Sequence, residues 1–277
     1  MTQLMASASA PPDPRRDRGR QLLVLALAAA QVGAIVWQVQ GSTAGTDLYA
    51  RSSDPPVIPA TFTFAIWGPI YLGSLAYATY QAWPGQGARP LHRQVGPWAA
   101  LAFGASALWA LAAGFPPPLL SWGTVAMIFA LFGSLLVALL RAVALAETPR
   151  DRLLVVAPLG LYAGYITLAT VANTAATLYQ LGIRTPLGLS EPAWAALMLG
   201  AAGVLAGVVI RHLGVNRHRA PLTYPAAVVW GLGGVAAQNL TVLNLAAQPQ
   251  PVVAAAAGLA ALLVAGTAWR RRRAGAR

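Results

Sequence analysis

Long uncharged apolar runs alternate with short arginine-bearing loops along the whole chain. The runs near 21–39, 59–82, 96–115, 119–140, 153–179, 193–210, 222–246 and 250–269 approach the roughly 20 residues that a helix needs to cross a bilayer. The pattern predicts an all-α integral membrane protein with eight transmembrane helices. Residues 1–20, rich in Ala, Ser and Pro before PRRDRGR, predict a disordered basic tail, and 270–277 a basic cytoplasmic tail. A cleaved signal peptide is the competing reading of the N-terminus. Retention is favoured, because the run from Leu22 to Trp37 is long for a signal core and no clear A-x-A site follows.

Composition agrees with the pattern. Of the 277 residues 57% are hydrophobic and 9% charged, against about 25% charged in a soluble chain. All nineteen positive residues are Arg, and there is no Cys, which excludes disulfides and thiolate chemistry. A net charge of +12 raises nucleic acid as a partner, but the arginines sit beside apolar spans instead of forming one basic face, so no nucleic-acid partner is expected. With the N-terminus inside, seventeen arginines fall on cytoplasmic segments and two, Arg51 and Arg184, outside. The positive-inside rule then puts both termini in the cytoplasm.

Few groups are suited to chemistry. The seven acids fall in the tail, loops or helix ends, so ion coupling through an intramembrane carboxylate is not expected. His92, His212 and His218 read as cytoplasmic loop residues, which leaves no expected metal or haem site. No catalytic set, phosphate cradle or cofactor site is present in the pattern. Polar and aromatic stripes remain. Phe64, Trp67, Tyr71, Ser74, Ala78 and Gln81 share one face of the second helix, where Pro69 predicts a kink. Ser106 and Trp109 lie together on the third helix. On the fifth, Thr167, Thr170, Thr174 and Thr177 form a stripe beside Asn173, with Tyr162 and Tyr165 above and Pro158 bending the entry. Trp230, Gly234, Gln238 and Thr241 line the seventh, with Asn239 and Asn244 near. Each stripe reads either as packing or as a ligand wall. Asn173 demands partners in either case, since an amide in hydrocarbon must be satisfied. Gly160/Gly164 and Gly203/Gly207 are small-residue pairs for close helix contact and permit a homodimer.

The stretch from Pro59 through Trp67-Gly68-Pro69-Ile70-Tyr71, with Trp109 and the run from Pro158 to Asn173, resembles the TspO/MBR family, the tryptophan-rich sensory proteins related to the translocator protein. In that family's pattern Ser106 stands where an Asn is usual, Tyr162 stands for a Trp, and Thr170 falls on an Asn position with Asn173 one turn later. The resemblance implies a five-helix domain over 21–180, and the helices of 181–269 then look like an addition of three. It also implies binding of porphyrins or other flat apolar molecules. Trp67 and Tyr71 would stack on the ligand, and Ser106, Trp109, Tyr162, Tyr165, Thr170 and Asn173 would complete the walls.

The expected function is therefore a non-enzymatic membrane receptor or sensor for a hydrophobic small molecule of tetrapyrrole type, in a bacterial inner (plasma) membrane. The alternative is a facilitative transporter of an uncharged apolar solute, with the polar stripes of the fifth and seventh helices lining its path.

Overall fold

In the computed structural model, residues 14–41, 55–113, 121–213, 221–243, 245 and 248–275 are described. Every long element among them is a helix: α1 (Pro14–Gly41), α2 (Trp67–Ala82), α3 (Pro90–Ala113), α4 (Ser121–Leu145), α5 (Ala157–Gln180), α6 (Glu191–Leu213), α7 (Thr223–Asn239) and α8 (Pro251–Gly275). Six helical stretches are long and apolar enough to span a bilayer: Pro14–Gln40, Pro90–Ala113, Trp122–Leu145, Pro149–Gln180, Glu191–Leu213 and Pro251–Arg273. The chain is a multi-pass membrane protein. At 16 residues α2 measures about 24 Å, short of the roughly 30 Å hydrocarbon core. A 3₁₀ turn, Thr61–Ile66, leads into it.

Several boundaries differ from the sequence reading, each for a local reason. α1 begins at Pro14, so residues 14–20 are helical; the rest of the expected tail, 1–13, lies outside the described residues. Asp17 holds that first turn by ion pairs to Arg20 (2.7 Å) and Arg93 (2.6 Å). Pro69 makes no mid-helix kink, because the α-helix starts at Trp67 and the first turn has no use for the missing N–H. Pro158 does disturb its helix. It cannot donate to the Leu154 carbonyl, and the preceding turn, Arg152–Val156, is π-helical, with the Ala157 N–H reaching Arg152 O. α7 stops at Asn239, where Leu240 turns extended; Asn244 lies outside the described residues. Arg270–Arg273, in the basic C-terminal segment, continue the α8 helix.

The helices pack in a row, α1 on α3, α3 on α4, α4 on α5, α5 on α7, then α8 against both α7 and α6, with α2 seated on α1 and α5. α2 reaches α3 through aromatic pairs such as Tyr77–Phe103 (6.4 Å between centroids). The α5–α7 contact is close because glycines allow it. A Cβ on Gly164 would run into the Tyr224 carbonyl oxygen, and one on Gly160 would sit 2.5 Å from Thr223 Oγ1. Gly203 meets Ala260 of α8 in the same way, at 3.0 Å.

At one end of the molecule Asp151, fully buried, joins three elements. It accepts from Arg89 (2.8 and 2.7 Å), Tyr80 (2.8 Å) and the Thr148 N–H (3.0 Å). That hydrogen-bonded carboxylate raises Arg89 above the ordinary guanidinium range. His92, expected in a loop, lies in the first turn of α3 and is buried, with Nε2 3.0 Å from Gln86 Oε1.

Candidate aromatic site

Trp67 opens α2, and one turn on, the i+4 position brings Tyr71 over the same face. Their rings stack at 5.3 Å with planes 21° apart. Trp109, near the end of α3, also stacks with Trp67, at 6.2 Å and 20°. From α5, Tyr162 and Tyr165 present their edges to it at 6.0 and 5.4 Å, with interplanar angles of 81° and 84°. Stacked and edge-on pairs at these spacings are favourable beyond their burial. Trp67 is thus the centre of a five-ring cluster contributed by three helices.

Polar contacts frame the rings. Trp109 donates its indole N–H to Asn173 Oδ1 at 2.9 Å, and Asn173 Nδ2 reaches Thr124 Oγ1 on α4 at 3.3 Å. Tyr162 donates to Ser106 Oγ at 2.6 Å, with Gln31 Oε1 of α1 at 3.2 Å. Ser106 and Tyr162 are both 1% exposed, whereas Trp67, Trp109 and Asn173 are half-buried.

Seven of the eight predicted site residues are therefore connected: Trp67, Tyr71, Trp109, Tyr162 and Tyr165 by their rings, Ser106 through Tyr162, and Asn173 through Trp109. Thr170 is the exception. It is buried, but its hydroxyl donates to the Ile166 carbonyl of its own helix at 2.8 Å, as threonines in membrane helices do. Thr167 and Thr174 bond back to Ala163 and Thr170 in the same way, at 2.9 and 2.8 Å.

Gln31 was not singled out in the sequence. It is fully buried, and its Nε2 has no hydrogen-bond partner among the described residues. Its signal was available: one amide in the middle of the otherwise apolar run from Leu22 to Trp37. The segment before α2 is also held from an unexpected quarter. The Ala60 N–H donates to Gly234 O (3.1 Å), Trp230 Nε1 to Thr63 O (2.9 Å) and Asn239 Nδ2 to Pro56 O (2.8 Å). Every one of those partners is on α7.

The cluster carries π faces, hydroxyls and amides and no charged group, which suits it to hold an apolar molecule and orient it by a few hydrogen bonds. Among the described residues no group of His, Asp or Glu has the spacing to hold a metal ion.

Comparison with known proteins bears on the same stretch. A family described as TSPO-like protein matches residues 21–269, so the match takes in α6, α7 and α8 as well as the first five helices. No curated protein and no solved structure matches the chain. The residues of the aromatic cluster and the helices that carry them all fall within the matched region, and the chain belongs to the TSPO-like protein family.

Proposed function

We propose that the protein is a non-enzymatic membrane receptor or sensor for a flat hydrophobic small molecule, of tetrapyrrole type, held at the Trp67 cluster. One observation carries this reading: Trp67 and Trp109, nearly parallel at 20° and 6.2 Å apart, face each other from two helices that meet through side chains. A flat π system inserted between two rings needs about 7 Å, twice the carbon contact distance of about 3.5 Å. A small parting of α2 from α3 would admit it, with Tyr162, Ser106, Gln31 and Asn173 placed to bond its polar edge. The unpartnered amide N–H of Gln31 supplies a donor.

Binding is favoured over transport by the fate of the polar stripes. The α5 threonines bond their own helix, and on α7 Asn239 is spent on Pro56 and on Val235 O at 2.9 Å. Those groups are already paired within the protein. The arginine asymmetry supports a bacterial plasma membrane with the Asp151 end in the cytoplasm and eight crossings. A homodimer would have to use other faces than Gly160/Gly164 and Gly203, which are filled within the monomer.

Titrating the purified protein with protoporphyrin should quench its Trp fluorescence saturably. The double substitution Trp67→Leu, Tyr71→Leu should weaken that affinity at least tenfold. An unchanged affinity in the double variant removes the assignment to this cluster.

A further inference from the structure

After Glu191 the chain carries eight arginines and not one Asp or Glu. Three arginines of the earlier segments are matched inside the molecule, Arg20 and Arg93 by Asp17 and Arg89 by Asp151. Arg211 at the end of α6 and Arg270–Arg273 at the end of α8 make no ion pair among the described residues.

Those two helix ends lie together. α6 starts where α5 stops, with Tyr179 bonded to Glu191, and returns toward the Asp151 end. α8 runs beside it in the same direction, because Gly203 meets Ala260 and, one turn on, Gly207 meets Leu263. From the Gly203–Ala260 contact Arg211 lies about 12 Å along α6 and Arg270 about 15 Å along α8, at about 1.5 Å per residue. The rotation agrees with the height. Val204, Val208 and Arg211 form one exposed stripe of α6, and Leu259, Leu263 and Arg270 one of α8. At about 100° per residue each stripe lies within about 90° of the contact between the helices. One is ahead of the contact in the helical sense and the other behind it, which for parallel helices is the same side. The stripes therefore flank a single outward-facing seam, apolar along its length and topped by two arginines. Trp269, 57% exposed with the Arg273 guanidinium carbon 4.4 Å from its ring centroid, is the kind of residue that collects at headgroup depth.

We propose that this seam binds one anionic phospholipid. Its phosphodiester is held between Arg211 and Arg270, whose planar forks each present paired donors to phosphate oxygens, and its acyl chains lie along Val204, Val208, Leu259 and Leu263. Basic helix ends attract anionic lipid in a general way, by charge alone. The seam differs in bringing cations from two helices over one apolar groove, with no acid at either helix end to neutralise them.

The test titrates phosphatidylglycerol into the full chain in maltoside micelles, read by native mass spectrometry with phosphatidylcholine as competitor. One phosphatidylglycerol should be retained saturably and in preference to phosphatidylcholine. Arg211→Gln and Arg270→Gln should each weaken its binding about fivefold and the double variant at least about tenfold, whereas Arg211→Lys, which keeps the charge, should retain most of it. The control Arg150→Gln, Arg152→Gln removes two exposed cations at the same end of the molecule and should leave the affinity unchanged. No preference for phosphatidylglycerol, or an equal loss from both double variants, overturns the proposal, the second result meaning that charge attracts lipid without a seam to hold it.

Discussion

Trp109 and Asn173 illustrate what a membrane interior demands of one polar atom. A buried donor left without its acceptor costs about 1–3 kcal/mol, and the 2.9 Å bond to Asn173 Oδ1 avoids that for the indole. The need for such a partner was legible from the amide in an apolar run; the partner was not, because it depends on how α3 meets α5. Ser106 shows the same division, its hydroxyl taken by Tyr162 at 2.6 Å across two helices. Asp151 was read as a helix-end acid, and nothing local indicates that Arg89, 62 residues away, closes over it. That pair supports a measurement. Removing either partner strands the other charge, so Asp151→Ala and Arg89→Gln should each destabilise the protein, while the double variant loses less than their sum. In a double-mutant cycle read by SDS unfolding, the coupling should reach about 2 kcal/mol. Additive losses would mean that the bidentate contact contributes nothing.

Elements meet at distances that single residues decide. On α5 the glycines at 160 and 164 were recognisable as a small-residue face, but the sequence left open which helix fills it, since spacing names a face and not its neighbour. α7 fills it, with the Tyr224 carbonyl where a Gly164 side chain would begin. Gly164→Ala should therefore cost about 2 kcal/mol or more, because backbone stands in the way and the helices must part. Gly200→Ala on α6, where nothing lies within 4 Å, should be neutral or slightly stabilising, since alanine is the better helix former. Thermal midpoints of the two variants in detergent provide the comparison; equal shifts would refute the close-packing account. Helix ends were the least legible feature. Pro69 and Pro158 carry the same sequence signal, and only position decides that the first opens a helix while the second forces a π turn.

Over the whole molecule, the arginine distribution predicts an alternating orientation of the helices, because it acts over entire loops and tolerates boundary errors. Orientation can be measured directly. The chain has no Cys, so single variants need no altered background. A membrane-impermeant maleimide should label Thr185→Cys but not Ala88→Cys in right-side-out vesicles, and the reverse in inverted ones; labelling of both from one side would break the proposed topology. What the sequence concealed at this scale was the place of the last three helices. They read as an addition because their contacts with the early segments are remote in sequence: Trp230 to Thr63 spans 167 positions and Asn239 to Pro56 spans 183. Those bonds set an order on biogenesis. Membrane helices emerge from the ribosome from the N-terminal end, so the entry to α2, and Trp67 with it, is translated long before the α7 groups that clasp it exist. The aromatic cluster is begun early in synthesis and latched late. A chain arrested between α5 and α7 would hold all five rings of the cluster with the proline segment still unfastened.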